Sequence, residues 1–189
     1  MIIGVCGLIG SGKDTIAEHL IKDHKFHKTS FADKLKDAVG SMFDWDRDML
    51  EGKTEPSRQW REQSDSFWTA EAGFEVSPRY LLQRFGTECM REGFFDGIWV
   101  SLTKKKILDN PDINWVVPDV RFPNEAKAVE DAGGVVVRLT RTIKEDNHPS
   151  ETALDDYNFK HYIDNKEGNI DALVSKVKSL YTKIQRETC

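Results

Sequence analysis

The sequence predicts an α/β fold: three layers, with a mostly parallel central sheet and helices on both faces. Two observations carry this reading. Short apolar, β-branched runs alternate with amphipathic stretches of helical period along most of the chain. Strands separated by helices return in the same direction, so they pair in parallel and bury both sheet faces under the crossovers.

Met1–Cys6 is apolar and β-branched and breaks at Gly7, so it reads as a buried strand. Beyond Gly12, the apolar residues Ile16, Ala17, Leu20 and Ile21 recur at helical spacing to about His24. Phe26 to Phe31 reads as a second short strand. Ala32 to Phe43 reads as a helix with Leu35, Ala38, Val39 and Met42 on one face. Residues 44–78 hold Trp45, Trp60 and Trp68, many charges and weak periodicity, which predicts an inserted helical or loop region over the sheet edge, its tryptophans serving as core or cover. Pro78 opens a helix to roughly Arg91, in which Gly86-Thr87 reads as an end where backbone can approach a ligand. Gly97 to Leu108 is another helix. Ile113–Val117 is a strand ending at Pro118-Asp119. Pro123 and Gly133 bracket a short helix from its first turn to just past its end. Val135–Leu139 is the next strand, and Tyr162-Ile163 a last short one. Ile170, Leu173, Val174, Val177, Leu180, Tyr181 and Ile184 form the apolar stripe of a closing helix. Residues 1–189 read as one domain, with 44–95 as a helical covering region.

Composition narrows the function. A chain of 189 residues with 39% hydrophobic content can fold around one core. A net charge of −5 speaks against a polynucleotide partner, while a local cluster of cations can still hold a mononucleotide. Three scattered cysteines exclude a disulfide framework and a zinc site, and Cys6 reads as a small core residue. No 18-residue apolar run and no leader-like start are present, so the expectation is a soluble cytoplasmic protein with no membrane partner.

The strongest chemical signal is Gly7-Leu8-Ile9-Gly10-Ser11-Gly12-Lys13, which matches G-x-x-x-x-G-K between a strand and a helix. Glycines let backbone N–H groups converge on phosphate oxygens, and a helix N-terminus adds orphan donors and a positive dipole end. Gly10, Ser11, Gly12, Lys13, Asp14, Thr15 and Ile16 are therefore the expected ATP-binding residues. Lys13 sits between the β- and γ-phosphates, and the amides near Thr15 and Ile16 reach the α-phosphate. Asp14 stands where such loops usually carry the Ser or Thr that ligates Mg²⁺; it either holds the ion through water or stabilises the helix start. The metal ligands stay unknown at this point.

A second signal is the apolar strand ending in Asp119, followed by Arg121 and, one helical turn on, Glu125. Ligands of open α/β sheets bind beyond the carboxyl ends of strands, so Asp119 and Arg121 are expected on the cleft that Lys13 faces. Phosphoryl transfer needs cations around the moving group. Lys36, Arg79, Arg84, Arg91, Arg121, Arg138 and Arg141 are the candidates, with Lys13, Arg121 and Arg141 assigned to catalysis. Trp99 is the aromatic expected to stack on a base. His148 is not expected to act directly, and Ser150 reads as a helix cap.

Together these motifs resemble the deoxynucleoside monophosphate kinases of tailed bacteriophages, within the P-loop kinase superfamily. The likeness rests on Ser11-Gly12-Lys13-Asp14-Thr15, on Ala32-Asp33-Lys34-Leu35-Lys36-Asp37-Ala38, and on Arg79 through Thr87 followed by Asp96-Gly97-Ile98-Trp99-Val100. It continues through Pro118-Asp119-Val120-Arg121 with Glu125, and His148-x-Ser150-Glu151. It spans roughly residues 1–180. The resemblance implies a P-loop kinase-like three-layer fold, Mg²⁺ with ATP as donor, and conversion of a dNMP to a dNDP in the cytoplasm of the host. It assigns the acceptor to Lys36, Arg79, Gly86, Thr87, Trp99, Asp119, Arg121 and Glu125, under residues 44–95. A homodimer is admitted, without a sequence signal for one.

Two other readings are carried forward. One is a kinase for another small phosphorylated acceptor, of the dephospho-coenzyme A or phosphomevalonate kind. The other is a regulatory NTPase, for which Asn165-Lys166-Glu167-Gly168 lacks the aspartate a guanine-reading motif requires.

Overall fold

A computed structural model describes residues 1–8, 10–141, 153–165 and 169–188. His148, Ser150 and Glu151 lie outside the described residues. The chain forms two compact units, Met1–Phe31 with Thr103–Cys189, and Ala32–Leu102.

The first unit is built on a five-stranded, wholly parallel sheet. β1 (Ile2–Cys6) lies at its centre, between β3 (Trp115–Val117) and β4 (Val135–Thr140). β2 (His27–Lys28) adds outside β3, and β5 (His161–Asp164) outside β4, giving the order β2-β3-β1-β4-β5. Along β1 the side chains alternate between faces. Ile3 and Val5 join the core formed with α1 (Lys13–His24) and the closing helix α9 (Ile170–Thr188), through Ile16, Leu20, Leu173, Val177 and Ile184. Gly4 faces the other way: a methyl group there would stand 3.0 Å from Val120 and 3.4 Å from Val129 of α8 (Pro123–Asp131). Helices thus cover both faces, as the alternation of strands and helices requires.

The second strand is shorter than its apolar run. Phe26 and Phe31 are both buried, but only His27 and Lys28 pair in the ladder. The Phe26 amide turns back to the Leu20 carbonyl of α1 at 3.2 Å, and that bond sets where the ladder begins. At the other end of the chain, Ile170 heads the stripe of α9 yet is 63% exposed.

The second unit is helical: α2 (Asp33–Phe43), α3 (Arg47–Glu51), α4 (Glu55–Glu62), α5 (Ser66–Ala72) and α6 (Pro78–Arg84), followed by a π-helical stretch, Phe85–Glu92. α7 (Ile98–Leu108) follows. Weak periodicity in residues 44–78 has a plain cause, because α3, α4 and α5 are too short to show a stripe. They start instead on side-chain caps, with Asp46, Thr54 and Asp65 accepting from Met49, Ser57 and Trp68 amides. Each such cap contributes about 1 kcal/mol. Between them Phe43 stacks on Trp45 at 5.0 Å and meets Trp68 edge-on at 4.9 Å. Gly86-Thr87 does not end the Pro78 helix. The chain runs on through the π-helical turns to Glu92, a rare register that is frequent at functional sites.

Among the described residues no helix is long and apolar enough to cross a membrane. Cys6 and Cys89 are free thiols.

Two histidines of the first unit set a pH dependence. Burial pushes His19 below its ordinary value, against the attraction of Asp23 at 3.0 Å and with the help of His24, Lys178 and Lys22. Burial does the same to His161, against Glu187 and with Lys183 and Lys160. Both therefore take up protons more readily when unfolded. Their effect is absent above the unfolded pKa of about 6.5 and becomes a loss of stability as pH falls below it. Urea unfolding at pH 7.5 and pH 5 is expected to show a lower midpoint at pH 5, and His19→Gln is expected to reduce the difference.

Candidate active site

The loop after β1 turns tightly and packs hard against its neighbours. The Ser11 amide donates to the Leu8 carbonyl at 3.1 Å, and Gly12 caps α1 with φ 110, a value side chains rarely adopt. At Gly7 the obstacle is space: a methyl group would lie 2.7 Å from the Leu139 carbonyl of β4 and 2.8 Å from Ser11 Oγ. At Gly12 it would meet Leu173 at 3.0 Å and Asn165 Nδ2 at 3.1 Å. These glycines bring bare backbone to a concave turn at the start of a 12-residue helix.

Lys13 lies over that turn, its ammonium donating to the carbonyls of Gly7 at 2.6 Å and Leu8 at 2.8 Å. The Lys13, Asp14 and Thr15 amides precede the first intrahelical bond, which the Ile16 amide makes to the Gly12 carbonyl at 3.1 Å. Ile16 is thus committed to the helix and buried, and the first-turn amides up to Thr15 are those left without an intrahelical acceptor. Asp14 is exposed, 3.8 Å from Lys28. Arg141, just past β4, donates to the Gly10 carbonyl at 2.5 Å. Gly10, Gly12, Lys13, Asp14, Thr15, Arg141, Asn165, Ile170 and Leu173 line one cavity of about 320 Å³.

Beside this loop is the end of β3, since β3 pairs with β1 in parallel and the Val120 amide donates to the Val5 carbonyl at 3.3 Å. β1 leads out to β2 on one side of the sheet and β3 leads to β4 on the other. Their carboxyl ends are therefore a switch point, where open sheets carry ligands. Asp119 stands there and accepts from the Phe31 amide at 3.2 Å. Glu125 is buried, and its carboxylate accepts from the amides of Arg121 at 2.8 Å and Phe122 at 3.1 Å, capping α8. It acts on the backbone that presents Arg121.

Other expected residues belong to the helical unit. Lys36 is paired with Glu51 at 2.9 Å, and Glu51 also accepts from Arg47 at 2.8 Å. Burial alone would raise the Glu51 carboxyl, but those two cations bring it to about 2. Arg79 pairs with Glu62 at 3.1 Å, and Arg84 with Glu88 at 2.6 Å. Thr87 is exposed, while Gly86 is buried against Leu35, which a methyl group would approach to 2.8 Å. The stacking face expected of Trp99 is not there: the residue is 6% exposed, and its indole N–H is bound to the Gly86 carbonyl at 2.9 Å. Trp99 holds the π-helical turn in place. In the first unit, Arg138 is occupied by Asp155 at 2.7 Å and Cys6 Sγ at 3.1 Å.

Sequence reasoning passed over Asn165 and Ile170 as site residues. Asn165 is buried and donates to the Ser11 carbonyl at 2.8 Å. The signal that could have found it is its place at the carboxyl end of the last strand.

A Gly-rich loop between the central strand and the first helix of an all-parallel sheet, with a lysine across it and Arg141 beside it, defines a P-loop kinase. The chain belongs to the deoxynucleotide monophosphate kinase family, whose family model matches residues 53–177. It is 33% identical to a putative deoxynucleotide monophosphate kinase of Acanthamoeba polyphaga mimivirus, covering 82% of each chain. It is 34% identical to the deoxynucleoside-5′-monophosphate kinase of Escherichia phage T5 over 54% of this chain and 44% of that one. Among solved structures it is similar to a shikimate kinase from Acinetobacter baumannii in complex with shikimate (TM-score 0.48, 12% identity, 96% of this chain and 93% of that one). A sugar kinase from Janibacter sp. gives a TM-score of 0.47 at 12% identity, over 94% and 92% of the two chains. The chain is a phosphotransferase.

Gly12→Ala is expected to cost about 1–3 kcal/mol in thermal or urea unfolding, from the strained φ and the contacts with Leu173 and Asn165. ADP affinity measured by calorimetry is expected to fall with it.

Proposed function

We propose that the chain transfers the γ-phosphoryl group of ATP to a deoxynucleoside monophosphate, giving a dNDP for DNA precursor synthesis in the cytoplasm. The observation that carries this reading is the loop of residues 7–13, with Lys13 across it, beside the strand end that bears Asp119 and Arg121, in a chain of this family.

Gly10, Ser11, Gly12, Lys13, Asp14 and Thr15 take the donor's phosphates, with amides of the loop and first helical turn as donors. Lys13 leaves the Gly7 and Leu8 carbonyls for phosphate oxygens, which are stronger acceptors because they are charged. Arg141 leaves the Gly10 carbonyl for the same oxygens. The transition state spreads charge over the transferred group, so Lys13, Arg121 and Arg141 contribute most when that charge develops. Positioning by these groups is the protein's part in the reaction, and no acid–base residue is required.

The donor set fits Mg²⁺, which takes oxygen ligands and binds through one or two carboxylates together with substrate phosphates. Asp14 and Thr15 in the first turn of α1 and Asp119 just past β3 offer such oxygens. When bound, the ion neutralises charge on the phosphate oxygens. Asp119 and Arg121 bind the acceptor, and Lys36, Arg79, Gly86 and Thr87 of the helical unit are assigned to it by the family resemblance. Glu125 holds the Arg121 backbone, and Trp99 holds the Gly86 carbonyl.

A coupled ADP-release assay over all dNMPs and NMPs, with ATP and Mg²⁺, tests the reading. Turnover with one or more dNMPs is expected; turnover only with another phosphorylated acceptor overturns it. Lys13→Ala is expected to lower the rate about 10²-fold or more, because it removes charge at the transferred group. Arg121→Ala is expected to lose turnover with ADP affinity retained, and normal turnover would remove Arg121 from the site.

A further inference from the structure

Asn165 directly follows β5. It is 7% exposed, and its backbone N–H donates to the Thr140 carbonyl at 2.8 Å. Its carboxamide Nδ2 donates to the Ser11 carbonyl at 2.8 Å. A carbonyl oxygen only accepts, so the NH₂ end must face Ser11, and chemistry fixes the orientation of the amide. The other end, Oδ1, accepts no hydrogen bond among the described residues. Asn165 lines the cavity of the phosphate loop, next to Leu173 and the exposed Ile170.

The lining of this cavity is of two chemistries. Lys13 and the first-turn amides of α1 suit phosphates. Leu173, the exposed Ile170 and the carboxamide of Asn165 stand beside Gly12 and Ser11 and offer aliphatic surface suited to a flat ring, with one fixed acceptor. On the reading that this cavity takes the phosphoryl donor, we infer that Asn165 Oδ1 reads the donor's base by accepting a hydrogen bond from an exocyclic amino group, so that the site selects a 6-aminopurine over a 6-oxopurine. A 6-oxo group would set two acceptors against each other and leave both without a proton. A site built to hydrogen-bond one group rejects the analogue that lacks it more strongly than an apolar pocket rejects a missing methylene. Because the same side chain is clamped to Ser11, the reader of the base is also fixed to the loop that holds the phosphates.

Calorimetric titration of the wild-type chain with three diphosphates tests this without any acceptor. They are ADP, purine riboside 5′-diphosphate, which lacks the 6-amino group, and inosine 5′-diphosphate, which carries oxygen in its place. ADP is expected to bind about 10-fold or more tightly than the unsubstituted purine, and the inosine compound most weakly. Equal affinities overturn the inference. Asn165→Ala also releases Ser11, so it is expected to weaken all three, and the ratio of ADP to inosine diphosphate affinity is expected to fall towards one. A parallel loss with the ratio kept makes Asn165 a structural clamp only and overturns the assignment. The base reading and the reaction reading fail separately. Preference for ADP without turnover of any dNMP leaves Asn165 in place and removes the reaction. Turnover of dNMPs with ATP and GTP alike does the reverse.

Discussion

The phosphate loop exists because nothing can stand between it and β4. The position a side chain would take at Gly7 is already occupied by the Leu139 carbonyl and Ser11 Oγ. The turn is therefore pressed against the next strand as bare backbone, and α1 must start where it does. Position 12 is constrained a second time, from α9 and from Asn165. The loop is held in its curve from three sides by elements far apart in sequence. Its readiness for an anion is thus a property of the packed sheet, because an isolated heptapeptide would have no reason to keep those amides convergent.

Sheet order does the rest in the first unit. With β1 flanked by β3 and β4, the chain leaves β1 in one direction and β3 in the other, and a crevice opens between their carboxyl ends. Gly4 lets α8 approach β1 closely on one face, while Ile3 and Val5 anchor α1 and α9 on the other. α8 in turn begins on the carboxylate of Glu125, which grips the amides of Arg121 and Phe122. An acidic residue in a helical first turn thereby fixes the backbone of a basic one in the loop before it.

Strong patterns were legible in the sequence, and the structure shows why. β1, β3 and β4 are nearly continuous apolar runs because both sheet faces are covered, while α1 and α9 carry apolar stripes because one face of each is buried, so both composition and spacing report them. α8 was legible for a different reason, its Pro123 and Gly133 punctuation. The helices between residues 44 and 78 were not resolved one from another, because a helix of five to eight residues shows too few turns for a stripe, and its caps read as ordinary polar residues. The π-helical turn at Gly86 was illegible as well, since its register is set by tertiary contacts with Leu35 and Trp99. Trp99 itself shows the limit of residue-type reasoning, because a tryptophan near polar motifs can as well spend its N–H on a buried carbonyl as offer its ring to a ligand. Asn165 is legible only as the head of an incomplete guanine-reading motif, which gives it no place in a cavity. What gives it one is a carbonyl 154 residues away in sequence.

The lysine lying on its own loop has a further consequence. The ammonium rests on two carbonyls of the turn it spans, so on the proposed reading an arriving polyphosphate meets a cation that needs only to change oxygens. On that reading the departure of spent nucleotide strands no cation, since the resting place of the ammonium is built into the turn, and entry and exit proceed by exchange at one atom.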